Sequence, residues 1–127
     1  MARLMKALVD TNILVDYLQG SDQARSELAR YRKPLISRIT WMEVLVGVAP
    51  GTEEEAVVRS FLNGFGVVEL SETVAAAAVR LRRELRLRLP DAIILASARQ
   101  EECILVTRNT KDFSADWPEV RVPYRHG

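Results

Sequence analysis

Histidine and cysteine are nearly missing from this sequence, with one of each in 127 residues. The lone Cys103 excludes an internal disulfide framework and any multi-cysteine zinc site, and it suits a reducing compartment, so the cytoplasm is expected. His126, next to last, leaves no imidazole in the body of the chain for a Ser-His-Asp triad or a histidine-ligated zinc. Long apolar runs are missing too. Ala92 to Ala98, interrupted by Ser97, is far too short to span a bilayer. Met-Ala-Arg-Leu-Met-Lys followed by Ala7 to Val9 does not read as a secretory signal peptide. Neither charge sign dominates. With 18 Lys+Arg against 17 Asp+Glu the formal net charge is +1, so any nucleic-acid contact must come from local clustering. No repeat, low-complexity tract or Gly/Ser linker is visible. Residues 1–127 read as one domain, a length within the common range of about 100–150 residues.

What is present is an alternation of short apolar runs with longer amphipathic segments. Strands are predicted at Lys6–Val9, Pro34–Ser37, Val67–Leu70 and Cys103–Val106, with a weak last one at Val120–Val122. Helices are predicted from Asn12 to Leu18, from a Ser21-Asp22 cap toward Arg30, and from Thr40 to a stop at Pro50-Gly51. A further helix opens at Thr52, with Val58, Phe61, Leu62 and Phe65 on one stripe. Another runs from a Ser71-Glu72 cap to about Leu87, with Leu81 and Leu85 on its buried side. A last one has Pro90 in its first turn and runs to about Glu101. Strands apolar on both faces, alternating with helices, predict an α/β fold. The sheet is mostly parallel, with four to five strands and helices on both faces. In such folds ligands bind beyond the carboxyl ends of the strands.

Several acids fall just there. Asp10 follows Ala7-Leu8-Val9 and precedes a helix, where it serves equally as an N-cap or as a functional carboxylate. Glu43 is fourth in Thr40-Trp41-Met42-Glu43, the spacing of a capping box on Thr40, or a second carboxylate in the first turn of a helix. Asp91 heads a helix that is apolar nearly all round. It complements the helix dipole, but a charge at the head of a buried helix also needs a solvating partner, and a cation is one candidate. Asp112 lies in a turn after a strand. Three or four carboxylates converging on one sheet edge repel each other unless a divalent cation holds them, and all-oxygen ligation favours Mg²⁺ or Mn²⁺ over zinc.

These residues resemble a known family. Val9-Asp10-Thr11-Asn12-Ile13-Leu14-Val15-Asp16, Thr40 with Glu43, Leu89-Pro90-Asp91-Ala92-Ile93-Ile94 and Leu105-Val106-Thr107-Arg108-Asn109-Thr110-Lys111-Asp112-Phe113 are similar to the PIN domain, and more closely to VapC-type toxins of bacterial toxin–antitoxin pairs. The motifs span residues 9 to 113. The resemblance implies a Mg²⁺-dependent endoribonuclease built on a PIN-like parallel sheet, a homodimer, and a partner antitoxin that blocks the site. Asp10, Glu43 and Asp91 match the family's three acidic metal-site positions. Many members carry an acid two residues after the threonine of the last motif, where this chain has Asn109. Asp112 is then expected to complete the set, and Asn109 to orient a water or a neighbouring carboxylate. Thr11, Asn12 and Thr107 match polar residues that orient the cluster. Asp16 also recurs in the family motif, but a helix salt bridge is the preferred reading. The implied reaction is in-line attack of water on an RNA phosphodiester, leaving a 5′-phosphate and a 3′-hydroxyl, with no histidine required.

Arg80, Arg82, Arg83, Arg86 and Arg88 crowd the end of the longest helix. They read either as a solvated face paired with Glu84 or as a phosphate-tracking surface leading to Asp91, with Arg82 and Arg86 as RNA contacts. Trp41 and Met42 read as core, or as a groove for an antitoxin segment. Tyr17 and Leu18 could add to that groove or to a dimer interface. A haloacid-dehalogenase-type phosphatase would need a second aspartate where Asn12 stands, and a phospho-receiver would need its motifs in another order. A non-catalytic α/β module binding a protein partner or RNA, with its acids serving only as caps, is the alternative.

Overall fold

Four short, largely apolar runs and a Val-Arg pair form the strands, and hydroxyl or carboxylate caps start most of the helices between them. The computed structural model describes residues 6–125; the expectations for His126 and for the first five residues lie outside that range. In chain order the elements are β1 (Ala7–Val9), α1 (Thr11–Leu18), α2 (Asp22–Leu28), β2 (Leu35–Ser37), α3 (Arg38–Val46), α4 (Glu53–Leu62), β3 (Gly66–Val68), α5 (Glu72–Leu85), α6 (Leu89–Gln100), β4 (Ile104–Val106) and β5 (Val120–Arg121). The sheet order is β3-β2-β1-β4-β5, and every neighbouring pair is parallel.

Successive strand residues face opposite ways, and the core divides accordingly. Leu8 and Leu105 point into one layer with Val74, Ala78 and Leu81 of α5, the buried run of α6, and Phe113. Ala7, Val9, Ile36 and Val106 point into the other with Ile13, Leu14, Val44, Val58 and Leu62. This is the predicted α/β arrangement with helices on both faces. Side chains of Asp10, Ser21, Ser37, Thr52 and Ser71 accept from the first-turn amides of α1 to α5.

Several local expectations are corrected. The third helix starts at Arg38, capped by Ser37, so Thr40 is an interior helical residue and forms no capping box with Glu43. A hydroxyl at the strand's own end intercepts the orphan amides three residues before the box could form. Strand β3 ends at Val68, leaving Glu69 and Leu70 outside it. Cys103 lies just before β4, buried, with its thiol pushed up by burial. Helix α5 ends at Leu85, which is exposed rather than part of the buried stripe. Tyr124, near the end of the described residues, is hydrogen-bonded into the fold.

Helix α5 is closed by Arg86 in the left-handed region, φ 56° and ψ 35°. Glycine is the usual residue there, because a Cβ is disfavoured. An Arg86→Gly variant is expected to gain about 0.5–1 kcal/mol in urea unfolding, the relief of the left-handed strain less the added freedom of the unfolded chain.

Candidate active site

The topology brings three chain segments to one edge. Strands β1 and β4 are adjacent and in register, Val9 opposite Val106, so Asp10 and Thr107 emerge side by side. Helix α3 starts at the carboxyl end of β2, the other neighbour of β1. Helix α6 runs back across the sheet to feed β4, so its first turn, with Asp91, sits at the same edge. In a doubly wound sheet the crevice opens where the order reverses, and here that is beside β1.

Asp10 is 4% exposed. Its carboxylate accepts from the Thr107 hydroxyl at 2.7 Å, the Thr11 amide at 2.8 Å and the Asn12 side-chain amide at 3.1 Å. All three donors are neutral. Burial pushes its pKa from 3.8 to about 6; the Thr107 and Thr11 hydrogen bonds resist the rise, and the charges of Asp91 and Glu43 add to it. The Asp10 side chain does cap α1, and it is also a buried carboxylate facing two others.

Thr11 and Thr107 orient this cluster through single hydroxyls. The Thr11 hydroxyl donates to Glu43 at 2.7 Å and lies 2.9 Å from the Thr40 hydroxyl. It therefore joins α1 to α3, and it is the partner Glu43 takes in place of the expected box. The Thr107 hydroxyl, donating to Asp10, accepts from the Asn109 amide at 2.9 Å. The Asn109 side chain donates to Asp112 at 3.0 Å, and its oxygen accepts from the Asp112 amide at 3.3 Å. Asn109 thus orients a neighbouring carboxylate.

Asp91 is buried, and burial raises its pKa, with Arg88 opposing the rise and Asp112 adding to it. The Arg88 guanidinium donates to Asp91 at 3.2 Å and stands 3.8 Å from Asp112. An open cleft of about 660 Å³ adjoins these groups, lined by Asn12, Arg88, Arg108, Asn109, Thr110, Lys111 and Asp112.

Asp16 has a different partner from the one expected. It is 8% exposed, and Arg108 grips it with two hydrogen bonds, 2.6 and 2.9 Å, while the Tyr124 hydroxyl donates at 2.8 Å. The ion pair joins α1 to the loop that carries Asn109 and Asp112. Sequence spacing held no signal for it, since Asp16 and Arg108 are 92 positions apart. Trp41 is half-buried under the guanidinium of Arg38 at 4.8 Å, and Met42 is exposed. Arg80, Arg82, Arg83 and Arg86 are exposed, and among the described residues none forms an ion pair with Glu84.

Among the described residues, no three Asp, Glu, His or Cys side chains are gathered tightly enough to hold a metal ion as they stand. The carboxylates rest instead on internal donors: Thr107 and Asn12, Thr11, Arg88 and Asn109. Their chemistry nevertheless fits a hard divalent cation. The donors are all oxygen, the charges of Asp10, Asp91, Glu43 and Asp112 act on one another, and the most buried of them has only neutral partners. No helix among the described residues is long and apolar enough to cross a membrane.

The PIN domain family model matches residues 7–115. The tRNA(fMet)-specific endonuclease VapC of Shigella flexneri is 28% identical over 120 residues, covering 87% of this chain and 91% of that protein. Among solved structures, a toxin–antitoxin complex from Klebsiella pneumoniae aligns with a TM-score of 0.88 at 44% identity, covering 95% of this chain and 100% of that one. VapBC2 from Rickettsia felis, bound to a DNA fragment from its promoter, aligns at 0.75 and 26% identity over 91% and 96% of the two chains. The chain belongs to the PIN domain family, and the relatives it resembles are VapC-type proteins of toxin–antitoxin systems.

Proposed function

We propose that this protein is a divalent-metal-dependent endoribonuclease, the toxin of a toxin–antitoxin pair, and that Asp10, Glu43, Asp91 and Asp112 form its metal-binding catalytic set. The observation that carries the reading is Asp10: a buried carboxylate held by neutral donors and facing two further acids. The N-cap bond stabilises α1, but keeping a buried carboxylate ionised beside two other acids costs stability that an entering cation would offset. Bound Mg²⁺ or Mn²⁺ supplies the positive charge that polarises a phosphodiester and makes water a competent nucleophile near neutral pH. The chain's own residues prepare the site. Thr107 and Asn12 fix the Asp10 oxygens, Thr11 aims Glu43, and Asn109 aims Asp112. Arg108, locked by Asp16, and Lys111 line the cleft where a phosphate backbone would lie.

The test incubates purified protein, freed of any partner, with mixed cellular RNA in Mg²⁺, Mn²⁺ or excess EDTA, alongside Asp10→Asn. Cleavage that needs both metal and Asp10 is expected. Absence of cleavage together with absence of Mn²⁺ binding by calorimetry would favour the capping-only module, for which the real N-cap bond from Asp10 to the Thr11 amide is the supporting observation.

The exposed arginines of α5 extend the reading to substrate. Arg82 and Arg86, without an acidic partner among the described residues, serve as phosphate contacts. Arg82→Glu is expected to weaken RNA binding and lower the magnitude of the log affinity against log salt slope by about 0.7, the loss of one single-strand phosphate contact. An unchanged slope would leave them a solvated face. Met42 and Val46, exposed one turn apart on α3 and flanking Glu43, give an antitoxin segment an apolar strip beside the acids. The same family reading supports a homodimer acting in the cytoplasm, and light scattering tests the dimer.

A further inference from the structure

Arg88 is the one cation hydrogen-bonded to a member of the acidic set among the described residues, and it comes from the chain itself. It stands immediately before α6 as that helix's N-cap, yet its side chain caps nothing. Its Nε donates to Asp91 at 3.2 Å, its Nη2 lies 3.8 Å from Asp112, and its charge also acts on Glu43. The side chain is nevertheless 77% exposed, so it is held by charge rather than by packing. It can leave Asp91 without opening a cavity, and the cleft it already lines gives it somewhere to go.

We propose that Arg88 is a displaceable internal counter-ion. In the metal-free protein it bridges Asp91 and Asp112; an entering divalent cation competes for the same oxygens and expels it onto the cleft wall. The inference rests on the metal reading above and adds to it a built-in antagonist of metal loading. Two cations cannot share Asp91 at these distances without repulsion, and an ion pair whose cationic partner is 77% exposed is screened enough by water to be exchanged. Arg88 therefore keeps the acids neutralised when no metal is present and raises the concentration at which metal takes over.

The test is Mn²⁺ binding by calorimetry to the full chain, with no RNA present. Arg88→Gln is expected to bind Mn²⁺ about three- to tenfold more tightly than the unaltered protein, the size of one exposed ion pair plus the relieved repulsion. Arg83→Gln, which removes the same charge from an exposed position on α5, should stay within about twofold, separating local competition from net charge. In EDTA, Arg88→Gln should melt at a lower temperature than the unaltered protein, and saturating Mn²⁺ should close that gap. Equal or weaker Mn²⁺ binding by Arg88→Gln, with binding intact in the unaltered protein, overturns the counter-ion role and leaves the metal reading standing. No Mn²⁺ binding by either protein overturns both.

Discussion

Asp10→Asn is expected to cut RNA cleavage at least about a hundredfold while making the metal-free protein more stable at neutral pH. The activity loss follows from removing a charged oxygen donor. Changing even a group that only supports a metal ligand costs about 10- to 100-fold, and a ligand costs more. The stability gain follows from linkage. The folded protein holds the Asp10 proton more tightly than the unfolded chain, since its pKa rises from 3.8 to about 6. Below about pH 4 both states are protonated and the carboxyl imposes no penalty. As pH climbs through 6 the folded state must ionise a buried group, and about 3 kcal/mol of stability is lost. Asparagine never ionises. Its amide oxygen can keep the N-cap bond to the Thr11 amide, but its NH2 cannot accept from Asn12 and Thr107 as the second oxygen of Asp10 does, a loss of about 1 kcal/mol. The variant should therefore be the less stable protein near pH 4 and the more stable one, by about 2 kcal/mol, above pH 7 in EDTA. Urea melts across that range would show the crossing. A variant weaker at every pH would mean that ionised Asp10 carries no burial penalty, and would remove the support it gives the metal reading.

Arg121→Met is expected to destabilise the fold by about 3–5 kcal/mol, the largest loss from any single change considered. Glu27 is 4% exposed, and Arg121 holds both its oxygens at 2.7 and 2.9 Å while the Tyr31 hydroxyl donates at 2.6 Å. Removing the arginine leaves the buried carboxylate only the Tyr31 hydroxyl and, at 3.8 Å, Arg30, which is far costlier than losing a surface pair. The same bonds hold the Glu27 pKa below its ordinary 4.5, against the burial that would raise it. Glu27 thus contributes stability that is full above about pH 4.5 and is lost as pH falls through the lowered value, opposite in sign to Asp10. Chemical denaturation at pH 7 and pH 4 should show the gap between Arg121→Met and the unaltered protein narrowing in acid.

Local chemistry made much of this molecule readable. The strand placements follow from apolar runs flanked by caps, and Asp10 could be placed because it ends such a run. Contacts between side chains far apart in sequence could not be read. Thr11 on Glu43 and Arg108 on Asp16 depend on which helix lands beside which loop, and no spacing rule carries that. The capping box at Thr40 failed because Ser37, a second hydroxyl three residues earlier at the end of β2, caps the helix first. The left-handed Arg86 was unreadable because the usual marker of that conformation, glycine, is absent.

The central position of β1 has a consequence for how the protein is made. β1, the earliest of the described strands, is paired on one side by residue 35 but on the other only by β4, which starts at Ile104. Asp10 and Thr107 are 97 positions apart. At about 5–20 residues per second, a nascent chain carries an incomplete central strand for about 5–20 s before its partner is even synthesised. Throughout that interval one edge of β1 presents unpaired amides and carbonyls, a hazard for mispairing with other chains. It also means that the hydroxyl orienting Asp10, and the loop bearing Asn109 and Asp112, are made about a hundred residues after Asp10 itself. The proposed site is therefore completed only once β4 and the loop after it have been made.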